Sequence, residues 1–167
     1  MNKNKIAILG FSIAVLVTSC RKTDMPHQEA APAVETVAAK KDWTSAIAWN
    51  AAKQEKFTTY NGTIVDQAIT SAVADKGLVL VFKKNGTDIQ SLPFEEKGAN
   101  DAYWYYQVSK GQIAISCDNY GAEQKVSDNA FQYFVITAEQ LQALDAKGHS
   151  QIELLQLSYE EAAALLK

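Results

Sequence analysis

Few side chains in this 167-residue chain are suited to nucleophilic or acid–base chemistry. The sequence contains two cysteines, Cys20 and Cys117, and two histidines, His27 and His149. A hydrolase triad needs a histidine within hydrogen-bonding reach of a nucleophile. His149 follows a predicted helix end, where it most often interacts with the last carbonyls or lies in a loop, and no serine stands in a G-x-S-x-G motif. The sequence therefore favours a protein that is not an enzyme.

Cys20 lies in a pattern that is typical of lipid attachment. Two lysines precede an apolar run over 6–17, which has the length of a secretory signal and is too short to span a bilayer. The run ends at Leu16–Cys20 (LVTSC), which resembles a bacterial lipobox, where the signal is cleaved before a cysteine that carries diacylglycerol. We predict a signal peptide over 1–19 and an acylated Cys20, including palmitate-type chains, that anchors the protein stably in the membrane. A secretory signal cleaved nearby and an uncleaved N-terminal helix are the alternatives.

Cys117 ends an apolar strand face and is predicted to be a small buried residue rather than a reactive thiol. If Cys20 is not lipidated, a disulfide between the two cysteines becomes the alternative in an oxidising compartment.

The carboxylates do not form a recognisable metal or glycosidase motif. The loop 118–130 is rich in Asp and Asn, which bind Ca²⁺ in some loops and are also ordinary turn residues, but its spacing misses the D-x-[DN]-x-[DN]-G pattern. Glu95 and Glu96 are adjacent in a predicted strand, so their side chains point to opposite faces. We assign no metal ligand and no cofactor, and calcium at this loop remains an open alternative.

The most informative stretch is Tyr103, Trp104, Tyr105 and Tyr106, all four of which are candidate ligand-binding residues. In a strand, Trp104 and Tyr106 share one face, and Tyr103 and Tyr105 share the other. Either the strand is covered on both sides or a row of rings is exposed. Exposed rings stack on sugars or anchor protein contacts, whereas a cross-strand aromatic ladder would only stabilise the sheet.

Most of the chain that positions these residues has the hydrophobic pattern of β-strands. The run 77–84 (GLVLVFKK) is apolar on both faces, as in a central strand covered on two sides. Asn85-Gly86 predicts a type I′ hairpin with a return strand over 87–94. The other predicted strands are 42–50, in which Trp43, Ile47 and Trp49 share one face, and 56–65, 102–109, 112–117 and 131–136.

Short helices are predicted over 69–76 and after the capping-box patterns at Thr137 and Ser158, and Ser150 is taken as the start of the final segment. The fold is therefore expected to be mainly β, an antiparallel β-sandwich or a partly open barrel of six to seven strands with short peripheral and C-terminal helices.

Composition divides the chain into three parts. After the signal, residues 20–41 contain no aromatic side chain and are predicted to form a flexible tether, and residues 42–167 are predicted to form a single β-rich domain. The net charge of −3 argues against a nucleic-acid partner, which would need a clustered basic surface.

An ordered series of short motifs resembles a family of small uncharacterised lipoproteins of Bacteroidota. The series includes 76–82 (KGLVLVF), 92–94 (LPF), 131–136 (FQYFVI) and 158–161 (SYEE). The resemblance implies the same anchor and tether and a β-rich domain, and it implies no activity, ligand or catalytic residue.

We therefore expect a non-enzymatic binding or assembly module of the cell envelope, lipid-anchored to the outer membrane on a side that the sequence leaves open. Its partners would be the membrane, through the lipid, and an envelope protein or a glycan. A glycan-binding accessory lipoprotein that uses exposed aromatic residues is the alternative, and an envelope hydrolase is the weakest hypothesis.

Overall fold

The structure is a computed structural model that describes residues 38–98, 101–121 and 126–167. The predicted signal peptide, Cys20 and most of the predicted tether lie outside the described residues. The strands in these ranges are β1 (Ala39–Lys40), β2 (Ile47–Lys53), β3 (Thr58–Val65), β4 (Leu78–Asn85), β5 (Asp88–Ser91), β6 (Phe94–Glu96), β7 (Ala102–Ser109), β8 (Gln112–Asn119) and β9 (Ala130–Ile136). The helices are α1 (Ser71–Lys76), α2 (Ala138–Asp145), α3 (Gln151–Leu155) and α4 (Tyr159–Leu165), with a short 3₁₀ helix at Val126–Asp128.

The strands form two antiparallel sheets. Sheet A has four strands in the order β1-β9-β4-β5, and sheet B has five in the order β2-β3-β8-β7-β6. No described strand is paired across the two sheets, so the fold is a β-sandwich and not a barrel. Among the described residues, strand pairing is already present at Ala39, ahead of the boundary at residue 42 that composition suggested.

The first core fills the space between the sheets. It receives alternate residues of the central strands, among them Val79, Val81, Trp104, Ile113, Ile115, Phe131, Tyr133 and Val135. Because side chains alternate between the faces of a strand, the remaining residues of β4 and β9 must point away from this core.

The second core lies on the opposite face of sheet A. There Leu78, Leu80, Phe82, Phe134 and Ile136 pack against the helical side, which includes Leu144 of α2, Leu154 of α3, Ala162 of α4 and Leu166 directly after α4. The C-terminal helices thus form a third layer over the sheet. This layer confirms that 77–84 contains a central strand covered on two sides, since β4 has another strand at each edge and a core on each face.

The helix boundaries follow the capping signals. The capping boxes predicted at Thr137 and Ser158 are both present. A third, missed by the sequence analysis, starts α3, where the Ser150 side chain accepts from the Glu153 backbone and Glu153 reaches back to the Ser150 N–H. Its Ser-x-x-Glu spacing was available in the sequence, because it is the same pattern.

The first predicted strand is irregular, and the prediction that Trp43, Ile47 and Trp49 share one face is wrong. β2 begins at Ile47, whose side chain is 58% exposed. A φ of 56° at Ala48 and a register shift between Ile47 and Asn50 form a bulge that reorients the side chains after it. Trp49 consequently packs in the core between the sheets, whereas Trp43 packs against the helical layer.

The hairpin predicted at Asn85-Gly86 is present, but its turn lies one residue later. Asn85 pairs with Asp88, so Gly86 and Thr87 are the central turn residues, and φ is positive at Gly86 (59°) but not at Thr87. A positive φ at the first central position alone is the geometry of a type II′ turn rather than the predicted type I′.

The return strand predicted over 87–94 is in fact two strands in different sheets. β5 ends at Ser91 in sheet A, and Leu92 and Pro93 lead the chain across to β6 in sheet B. Pro93 has no backbone N–H to donate to a ladder, which favours the break at this position. The crossing brings Glu95 and Glu96 beside β7.

Asp66 is the residue directly after β3, and its carboxylate connects three parts of the domain. Its carboxylate accepts hydrogen bonds from the Tyr133 hydroxyl at 3.0 Å and the Ala68 backbone N–H at 2.9 Å, and it lies 3.3 Å from the Lys41 ammonium. Burial by itself would raise the pKa of Asp66, but these partners outweigh it and hold the pKa below its usual value of 3.8. The ionised carboxylate therefore stabilises the folded state.

This network should make the domain sensitive to acid. Because the pKa of Asp66 is lower in the folded chain than in the unfolded chain, its contribution is present above about pH 4 and is lost as the pH falls through the folded-state pKa. We expect Asp66→Asn to have a lower melting temperature than wild type at neutral pH. As the pH falls, the melting temperature of the variant should decline less than that of wild type. Melting curves of wild type and variant over a pH series measure this, and parallel declines would contradict it.

Candidate functional site

The structure assigns the two faces of β7 to different environments. Trp104 is fully buried between the sheets. The Tyr106 hydroxyl donates a 2.6 Å hydrogen bond to the Val79 carbonyl oxygen of sheet A, and burial raises the pKa of Tyr106 to about 12. Trp104 and Tyr106, both named as candidate ligand-binding residues, are therefore part of the core and do not face a ligand at the surface.

Tyr103 and Tyr105 lie on the outer face of sheet B. Their rings stack on each other, with centroids 5.5 Å apart and planes at 24°. Tyr103 is 39% exposed, and Tyr105 is half-buried. Because each ring covers one face of the other, the pair is not a flat, coplanar platform, and only the outward face of each ring is free for contact.

A cavity of about 770 Å³ lies at the edge of sheet B beside Tyr103. We call it the edge cavity. Its described lining consists of Glu95, Glu96, Lys97, Asp101, Ala102, Tyr103 and Tyr120. Its size falls within the range of about 300–1,000 Å³ that is usual for small-molecule sites.

Strand pairing brings the lining of the edge cavity together. Glu95 of β6 pairs with Tyr103 of β7, so both side chains lie on the outer face. Tyr120 directly follows β8, and its backbone N–H donates to the Asp101 carbonyl at 2.8 Å. The Tyr120 ring is 54% exposed and contacts the Phe57 ring at a centroid distance of 5.2 Å.

Each carboxylate of the edge cavity already has a partner. Glu95 lies 3.4 Å from the Lys97 ammonium, and Glu96 lies 3.5 Å from the Lys83 ammonium. Asp101 accepts a 2.8 Å hydrogen bond from the Gly98 backbone N–H. The lining is therefore rich in hydrogen-bonding groups, but much of its negative charge is balanced locally.

Lys83 is an ammonium group held inside the sandwich. It continues the alternation of Val79 and Val81 on the inner face of β4, and its side chain is only 5% exposed. The ammonium lies 4.6 Å from the centroid of the Trp104 ring, in cation–π geometry. Glu96 joins the two residues, because it pairs with Lys83 and accepts a 3.2 Å hydrogen bond from Trp104 Nε1.

Lys83, Tyr120 and Asp101 were not singled out from the sequence. Lys83 could have been assigned to the inner face, because alternation along 77–84 (GLVLVFKK) puts its side chain on the same side as Val79 and Val81. Tyr120 and Asp101 gave no such signal, because their proximity depends on the register between β7 and β8.

The other residues singled out in the sequence are not among the described lining of the edge cavity. The His149 backbone N–H donates to the Leu144 carbonyl after α2, a contact of the main chain and not of the imidazole. Cys117 is fully buried, and burial raises its pKa to about 12, so its prediction as a small buried residue is confirmed. In the loop 118–130, Asp118 accepts a 2.7 Å hydrogen bond from Thr59.

Two absences hold for the part of the chain that the structure describes. Over 38–98, 101–121 and 126–167, no three His, Cys, Asp or Glu side chains are grouped closely enough to hold a metal ion. Within the same ranges, no helix combines the length and the apolar character needed to cross a bilayer.

These features define an antiparallel β-sandwich with one outer face covered by helices and an aromatic, carboxylate-lined cavity at the edge of the other sheet. No protein-family model matches the chain, and no curated protein and no solved structure matches it either. The similarity to lipoproteins of Bacteroidota stays a prediction.

Proposed function

We propose that the chain is a non-enzymatic binding module, held at the outer membrane of the cell envelope by a lipid on Cys20, and that it binds its ligand in the edge cavity. The observation that carries the binding proposal is the cavity itself, where two partly exposed tyrosine rings and several paired charges line one opening. Exposed rings beside convergent polar groups are typical of recognition sites.

A binding role is favoured over a catalytic role by the state of the carboxylates. General acid–base catalysis depends on a group whose pKa is tuned to its task and that reaches the substrate. In the edge cavity Glu96 is engaged by Lys83 and Trp104, and Asp101 caps the turn at Gly98. Glu96 is therefore held in the cavity wall, and one oxygen of Asp101 is occupied at the turn.

The first described strand lies at a distance from the edge cavity. Ala39 pairs with Val135, which in turn pairs with Val79 near the start of β4. The cavity residue Glu96 contacts Lys83, four residues further along β4, or roughly 13 Å at the usual rise per residue. Ala39 therefore lies away from the Lys83–Glu96 contact at the edge cavity.

The anchor is tested by the substitution Cys20→Ala. Because only the thiol at position 20 would form the thioether, we expect the variant to lose all incorporation of a clickable fatty acid and to leave the membrane fraction. Cys117→Ala is the matched control and should keep both properties, because Cys117 is buried in the sandwich. Continued labelling of Cys20→Ala, or an unlabelled wild type, would refute the anchor.

A further inference from the structure

We infer that the edge cavity is a site for a neutral oligosaccharide, an inference that rests on the proposed binding function. It is carried by two aromatic rings that neighbouring rings support, several hydrogen-bonding side chains and a cavity of about 770 Å³.

The rings are held in place before a ligand arrives. Tyr103 stacks on Tyr105, and Tyr120 contacts Phe57 at an interplanar angle of 42°. Each ring therefore has one side supported by a neighbouring aromatic residue and remains partly exposed. The face of an aromatic ring is negatively polarised and attracts the positively polarised C–H groups of a sugar ring. Rings that are already ordered lose less conformational entropy on binding.

The polar lining offers hydrogen-bonding partners to a ligand that is rich in hydroxyl groups. Carboxylate oxygens accept several hydrogen bonds, and the Lys97 ammonium donates up to three, so Glu95, Asp101 and Lys97 retain capacity for hydroxyl partners. A cationic ligand is the competing class, because three carboxylates and one lysine are among the lining residues, and oligolysine tests it. An anionic ligand would meet three carboxylates and fewer ammonium groups.

Only part of the aromatic run 103–106 is available to bind a sugar. A site formed by all four residues of 103–106 is excluded, since Trp104 is buried and Tyr106 is bonded to Val79 across the core. Tyr103 remains, and Tyr120 takes the place of the others.

The test uses the full-length protein in detergent and three sets of probes: neutral cello-, xylo- and malto-oligosaccharides, anionic oligogalacturonate, and cationic oligolysine. We expect at least one neutral oligosaccharide to bind. Tyr103→Ala and Tyr120→Ala should each weaken that binding by about tenfold, as expected when an anchoring ring is truncated. Gln107→Ala is the matched control, because Gln107 is exposed on the same face of β7 and does not line the cavity.

A charge-removing variant separates the ligand classes. Glu95→Gln keeps a hydrogen-bond acceptor, so the affinity for the neutral oligosaccharide should change by less than about threefold. The inference is overturned if no neutral oligosaccharide binds, or if both tyrosine variants bind as wild type does. Binding of oligolysine that depends on Tyr103 and Tyr120, without sugar binding, would overturn the sugar inference and leave the binding function standing. If no probe of any class binds in the cavity, both fail.

Discussion

Replacing Phe134 with alanine is expected to destabilise the domain by about 3–5 kcal/mol, the usual cost of truncating a buried phenylalanine. Phe134 lies on the face of β9 that points to the helices, where it is 1% exposed. Its ring meets Phe82 edge to face at a centroid distance of 5.9 Å. The substitution removes this contact and leaves a cavity between sheet A and the helical layer, and urea denaturation measures the loss in free energy of unfolding.

Two further variants show whether the helical layer is responsible. Phe131→Ala removes a buried ring from the other face of β9 and should cost a similar amount. Tyr105→Ala truncates a ring on the outer face of sheet B, which no helix covers among the described residues, and should cost less than about 1 kcal/mol. If Phe134→Ala were as mild as Tyr105→Ala, the helices would not cover sheet A in solution.

Glu96→Gln is expected to destabilise the domain by about 2–3 kcal/mol, because it leaves the Lys83 ammonium buried without its carboxylate. Breaking a fully buried ion pair costs about 3–5 kcal/mol, and the lower value applies here since Glu96 is 34% exposed. The ring of Trp104, 4.6 Å from the ammonium, offsets part of the loss. Urea denaturation at neutral pH measures the change.

Removing the lysine instead of the carboxylate should cost less free energy of unfolding. Lys83→Met removes the buried charge and fills a similar volume, while the Glu96 carboxylate that remains can be hydrated and keeps its bond to Trp104. The double variant should resemble Lys83→Met alone. Glu95→Gln is the control, because its exposed pair with Lys97 should contribute less than about 1 kcal/mol. Equal costs for Glu96→Gln and Lys83→Met would contradict the buried-ammonium account.

The parts of the fold that could be predicted are those encoded by neighbouring residues. The run 78–82 places apolar side chains on both faces, and the structure places a core on each. The capping boxes at Thr137 and Ser158 were also readable, because a cap involves groups within one helical turn.

The parts that could not be predicted depend on distant residues. A bulge at Ala48 changes which way Trp49 points, and the break after Ser91 moves β6 into the other sheet. Neither follows from alternation, since alternation assumes an uninterrupted strand.

The same distinction applies to the candidate site. By itself, the sequence determined that Tyr103 and Tyr105 share one face of a strand and that Trp104 and Tyr106 share the other, because that division is a property of extended backbone. Only the tertiary structure decided which face is outward, since this depends on where sheet A and its helices lie. It also decided that Tyr120, Asp101 and Glu95 surround Tyr103, because strand register brings together residues that are not adjacent in the chain.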